Sequence, residues 1–278
     1  CFFAWQKMCR VAAEESGIPV KFYENGRATR DSYYLGTTQP HDRIASQAEV
    51  DSLVSHLSAS EITTLAQKWL AERVNPESGT NAFSAGWTRG SGTTDSSRRR
   101  PRAVFFSSSA DEFLAFGPMW NIDQWSTQFE AFDMFMERFS KKGVDLVLRI
   151  HPNLSGKSHT YFRATVTEIK SLKRKYPGLV VHWHNSDANS YKLVKSADYV
   201  VAERSTIALE ANLMGKPVWI NQAAQWDLIA DVRQVLKPSD IDADDLTPWG
   251  VESAGAEKFV AYWVIQEHPL RFGWKEWS

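Results

Sequence analysis

SADYVVAERSTIALEANLMGKPVWI, residues Ser196 to Ile220, holds the plan of the chain in one stretch. A short β-branched run, Tyr199 to Ala202, reads as a buried strand. The polar turn Glu203-Arg204-Ser205-Thr206 follows, and a helix runs on through Met214. Gly215 closes that helix, Lys216-Pro217 come next, and Val218 to Ile220 begin another strand. The hydroxyls of Ser205 and Thr206 stand where the helix starts, beside its N–H groups and the positive end of its dipole. That chemistry suits a phosphate. Glu210, one turn further in on roughly the same face, could take ribose hydroxyls.

Working outward, the same alternation recurs on the N-terminal side. AVFFSSS from Ala103 is a strand ending in hydroxyls, and Asn121 to Lys142 a long helix with Phe129, Phe132, Met136 and Phe139 inward. VDLVLRIHP is a strand ending in Arg149, His151 and Pro152; His159 to Lys175 is a helix, LVVHWH a strand and Ser190 to Ser196 a short helix. Near-continuous apolar strands alternating with helices predict an α/β fold, a doubly wound parallel sheet in a Rossmann-like domain. Beyond Ile220, helices are expected over Asp227 to Leu236 and Glu257 to Gln266, with a polar loop between them. This tail is expected to pack back on the body.

Ahead of Ala103 the pattern is weaker. Residues 1 to about 20 read as a helix ended by Gly17-Ile18-Pro19, and Val20 to Tyr23 as a short strand. RATRDSYYLGTTQPHDR reads as a loop, and Ser60-x-x-Thr63 opens a helix running to Val74. Gly, Ser, Thr and Asn then dominate from Asn75 to Ser97, followed by Arg98-Arg99-Arg100-Pro101-Arg102. Three parts are therefore expected: a partial N-terminal domain over 1–74, a linker over 75–102 and a nucleotide-binding domain over 103–278.

With 278 residues, 43% hydrophobic and 23% charged, the chain can bury a substantial core. A net charge of −1 gives no global pull toward nucleic acid. Cys1 and Cys9, the two cysteines, make neither a disulfide framework nor a zinc site, and a reducing compartment follows. No apolar run of about twenty residues predicts a membrane span. The opening CFFAWQKMCR resembles the middle of a helix, so a fragment or processed chain is expected. The twelve Trp read as core packing, with sugar stacking or a membrane-facing surface as the alternative.

In an open parallel sheet, ligands gather at the carboxyl ends of the strands. This sequence puts Ser107, Ser108 and Ser109 there, then Arg149 with His151, then His182 and His184, then Glu203 to Thr206. Pro152 fixes the backbone after His151, so the imidazole would be held in place to neutralise a departing phosphate. Arg149 could join it or support the neighbouring loop. His182 and His184 lack the acidic or thiol neighbours of a metal set, and no metal is expected. Together these residues outline the nucleotide end of a sugar-nucleotide enzyme.

FFSSSADEF, LVLRIHPN, Ser190-Tyr191-Lys192-Leu193 and ADYVVAERSTIALEANLMGKPVWI, in that order, resemble the bacterial capsule-polysaccharide synthesis family. Its members are GT-B glycosyltransferases that include Kdo transferases. RIHPN and RSTIALEA are more distantly similar to the CDP-glycerol glycerophosphotransferases and bacterial sialyltransferases. The resemblance spans roughly Val104 to Ile220, and more weakly Val20 to Gly36. It implies that His151 and Pro152 flank the donor phosphate, that Ser205 and Thr206 bind it, and that Glu210 meets the ribose. Ser107 to Ser109 would line the donor cleft. A general base is needed on the acceptor side, where Glu24 and Asp31 are the candidates.

The resemblance implies a transferase moving a sugar, Kdo the first candidate, from a CMP-activated donor to a surface polysaccharide or glycolipid. It implies no cofactor and no nucleic-acid partner. It also implies a cytoplasmic setting, with peripheral contact at the inner face of the bacterial plasma membrane. A sugar-nucleotide epimerase of the same fold and a non-catalytic nucleotide- or glycan-binding remnant stay open. The N-terminal part looks too short for a complete acceptor domain.

Overall fold

The computed structural model describes residues 4–25, 32–39, 42–75, 100–109, 120 and 122–269. Its centre is a six-stranded sheet, parallel throughout, built from β3 (Arg102–Phe106), β4 (Asp145–Arg149), β5 (Val180–His182), β6 (Tyr199–Ala202), β7 (Val218–Ile220) and β8 (Arg233–Gln234). The spatial order is β5-β4-β3-β6-β7-β8. The chain therefore winds outward from β3 in one direction and from β6 in the other, the doubly wound Rossmann order.

The strands are apolar on both faces because both faces are covered. Val104, Phe106, Val200, Ala202, Val218 and Ile220 enter one core. Their alternate neighbours Ala103, Phe105, Tyr199, Val201 and Trp219 enter the other. The second core is aromatic: Phe105 meets Phe132 edge-on at 5.4 Å, and Phe139 lies 4.7 Å from Tyr199. Each such side chain, fully buried, contributes about 1.5–3 kcal/mol.

The linking helices start where their caps allow. In α4 (Gln128–Lys141), Thr127 accepts from the Glu130 N–H, so this helix begins seven residues later than the Asn121 expected. Next come α5 (His159–Lys175), α6 (Ser190–Ser196) and α7 (Thr206–Leu213). At the end of α7, Gly215 adopts φ +72°, and the Lys216 N–H reaches back to the Ala211 carbonyl at 3.0 Å.

The N-terminal segment is built of α1 (Ala4–Glu15), β1 (Phe22–Asn25), β2 (Ser32–Gly36), α2 (Arg43–Val54) and α3 (Ala59–Val74). Two readings of the sequence change. Ser32 to Gly36 lies within the expected loop but is a strand, antiparallel to β1 and to β9 (Glu267–Pro269). Ser32 and Tyr34 turn inward from it, and Tyr33 stacks on Tyr23 at 5.8 Å. A partner more than two hundred residues away overrides a locally aperiodic pattern. Helix α2 follows directly, capped by Asp42 at the Ala45 N–H, 2.9 Å away.

The expected helix over Asp227 to Leu236 is instead turns and the edge strand β8. The Asp227 carboxylate ion-pairs with the buried Arg43 at 2.8 Å and accepts from the Ala224 N–H, which holds this segment in turns. Helices α8 (Pro238–Ala243) and α9 (Ala254–Gln266) complete the chain. Helix α9 packs across α2 and α3, with Trp263 6.1 Å from Trp69, so residues 43–74 share a core with the sheet domain. Of the expected linker, 76–99 lies outside the described residues.

Docking of α9 depends on Gly255, where an added Cβ would sit 1.9 Å from the Ile229 carbonyl oxygen. Gly255→Ala is expected to cost about 1–3 kcal/mol, as overpacked sites do. A urea-denaturation midpoint equal to that of the parent chain would show that α9 is not held this closely.

Candidate functional site

Where β3 and β6 lie side by side, the chain leaves the sheet in opposite directions and opens a crevice at their carboxyl ends. Register brings the expected residues to this rim. Phe106 pairs with Arg149 on one side and Ala202 on the other, so Ser107, Ile150 and Glu203 emerge level with one another. From β4 to β6 is two strand spacings, about 10 Å.

His151 is the best-defined group on the rim. Its backbone N–H donates to Ser107 Oγ at 2.9 Å, and the Ser107 N–H donates to the Arg149 carbonyl at 3.1 Å. Pro152 opens a 3₁₀ turn (Pro152–Gly156) directly after it, and the Asn153 N–H donates to His151 Nδ1 at 3.1 Å. A ring that accepts at Nδ1 carries its proton at Nε2 when neutral, so His151 presents a donor from a fixed ring. Ser107, Ser108, Ser109, His151, Lys157 and Tyr161 share one narrow cleft.

Gln128 is a residue that the sequence reading missed. Its side-chain amide clasps Ser108, accepting from the N–H at 2.9 Å and donating to the carbonyl at 3.1 Å. It fixes the segment just beyond β3 against the first turn of α4. A glutamine beginning a helix after Thr127 was the available signal.

On the other side of the crevice, Ser205 is the N-cap of α7, with an extended backbone and no capping bond from its own hydroxyl. Ser205 and Thr206 stand at the helix start, as read from the sequence, and Thr206 Oγ1 lies 3.4 Å from Nη2 of Arg73 in α3. Just before them, Arg204 lies over the Trp120 ring at 5.9 Å and beside Glu203 at 3.9 Å.

Other expected site residues lie elsewhere. Arg149 is wholly buried, and burial lowers its guanidinium to about 10. Its donors hold the β5–α6 loop: the Trp183 carbonyl, Ser186 Oγ at 3.2 Å and Ser190 Oγ at 3.4 Å. It therefore supports a loop. Glu210 is 1% exposed and forms an ion pair with Arg73 of α3, because its face of α7 is the one packed on α3. A ribose contact does not fit that position. Glu24 is half-buried in β1, within the separate three-stranded sheet, and Asp31 lies outside the described residues. His184 sits in the turn after β5, edge-on to Phe162 at 5.8 Å, so it lies outside the strand expected over LVVHWH. Among the described residues no helix is long and apolar enough to cross a membrane.

No protein-family model matches the chain, and no curated protein sequence does. Among solved structures it is similar to the β-Kdo 2,4 transferase of Thermosulfurimonas dismutans KpsC, with a TM-score of 0.55 and 13% identity over 94% of this chain and 77% of that one. The β-Kdo 2,7 transferase of the same organism's KpsC gives a TM-score of 0.50 and 13% identity, over 92% and 79% of the two chains. At such identity the likeness speaks for the fold: an α/β architecture of the GT-B-like kind.

His182, at the end of β5, has its imidazole held below the ordinary range by burial, then by the positive charges of Arg149 and Arg102. The unfolded chain takes up this proton first, near pH 6.5, so acidification below that point lowers stability. His182→Gln is expected to flatten the fall between pH 7.5 and 5. Parallel pH–stability curves for the two proteins would refute this.

Proposed function

We propose that this chain is a nucleotide-sugar-dependent glycosyltransferase. It would move a sugar, Kdo the first candidate, from a CMP-activated donor to a surface polysaccharide or glycolipid acceptor. The observation that carries the reading is His151. Its ring accepts from the Asn153 N–H at Nδ1 and its main chain donates to Ser107, so in the neutral ring Nε2 is the nitrogen that would donate to a departing phosphate. The start of α7 at Ser205 and Thr206 supplies a second source of positive potential on the far side of β3. A fixed donor where charge develops is what leaving-group stabilisation requires, because no reorganisation accompanies the reaction.

The likeness in fold to two Kdo transferases supports the choice of sugar. In this reading Ser107 to Ser109 line the donor side and Pro152 keeps His151 in position. A carboxylate on the acceptor side, Glu24 or Asp31, takes the acceptor's proton.

Calorimetric titration with CMP tests the assignment. A hydrogen bond to a charged phosphate contributes about 1.5–3 kcal/mol. His151→Ala is therefore expected to weaken CMP binding about ten- to a hundredfold. Equal affinity in parent and variant, or a preference for uridine over cytidine nucleotides, would overturn it.

A further inference from the structure

Arg73 is a buried cation that reaches the start of α7, and the proposed function gives it no role. It lies in the last turn of α3, and its guanidinium lies over the Trp69 ring at 4.7 Å. Its Nε donates to the Glu210 carboxylate, and its Nη2 lies 3.4 Å from Thr206 Oγ1. Thr206 and Glu210 are one helical turn apart on α7, so a single guanidinium spans the first turn of the helix whose start is the proposed anion site.

We infer that Arg73 is a positioning residue for the donor phosphate: it holds Thr206 at the start of α7 and adds a cation beside the phosphate subsite. The inference rests on the donor reading above and deepens it. The polarity of the pair is informative. Arg73 is the partner that reaches Thr206, and Glu210 lies one turn along, so the ion pair's dipole runs in the same sense as the helix dipole. Both point positive at the phosphate. In the buried surroundings of this pair, with Arg73 5% and Glu210 1% exposed, that field is weakly screened. Tyr191, also buried, faces the same pair, and burial together with the Glu210 carboxylate raises its hydroxyl above the ordinary range, so it stays neutral. The arrangement also ties α3, and with it the segment that packs under α9, to the first turn of α7.

A residue that merely packs α3 on α7 would affect all ligands alike. A residue that shapes the phosphate subsite would not. The experiment compares CMP with cytidine, which shares the base and ribose but lacks the phosphate, on the full chain and on Arg73→Lys and Glu210→Gln. Arg73→Lys is expected to lower CMP affinity about tenfold while cytidine affinity stays within twofold. Glu210→Gln removes the counter-charge but keeps a hydrogen-bond acceptor, so CMP affinity is expected to hold or rise. Thermal unfolding without ligand accompanies each titration. If Arg73→Lys fails to fold, Glu210→Gln still decides. A fall for both CMP and cytidine there would return Glu210 to the ribose and overturn the inference. Unchanged CMP binding in a folded Arg73→Lys would overturn it too. Parent protein that binds no CMP would sink the donor reading itself, a result distinct from either.

Discussion

A parallel sheet covered on both faces leaves its polar chemistry one place to go, the ends of its strands. Val104 and Phe106 face one core, Ala103 and Phe105 the other, and none of the four is exposed. Hydroxyls, imidazoles and charges would be costly along such strands, where each would need a partner in an apolar layer. They collect just beyond Phe106, Arg149 and Ala202 instead, and because the three strands run parallel in register, those ends fall on one rim. The crevice between β3 and β6 then follows from strand order alone.

This is why the sheet domain was legible in the sequence and the remainder was less so. Continuous apolar runs bounded by polar turns predicted β3, β4, β6 and β7 close to where they lie, and Gly215 marked the end of α7. Those signals are local. Strand β2 depends on β9, and the turn at Asp227 depends on Arg43, both far away in the chain. Local pattern carries no trace of such partners, so the aromatic pair Tyr33-Tyr34 read as loop and the Asp227 segment as helix.

The candidate site divides along the same line. Ser107, His151 and Ser205 take their places from the strands that precede them, and their neighbourhood could be read from strand ends. Glu210 and Arg149 could not be read that way, since helix periodicity says which residues share a face but not what packs on it. Glu210 was assigned to the crevice because it shares a face with Thr206. It does share that face, yet the face is covered by α3 and Arg73.

Three of the buried arginines then have a common logic. Arg149 holds the loop after β5, Arg43 the loop after β7, and Arg73 the helix that starts after β6. Gln128, uncharged, does the same for the segment after β3. Burying a charge is a poor way to gain stability, because apolar side chains of similar volume often serve as well or better. A guanidinium with several directed donors does something an apolar side chain cannot: it fixes carbonyl and carboxylate positions on a loop. That all four tethers act on segments leaving the carboxyl rim, each from a different strand, points to rigidity of the rim as what they maintain. A rim whose donors are already in place loses less conformational freedom when a charged ligand arrives, and stabilises developing charge without rearranging.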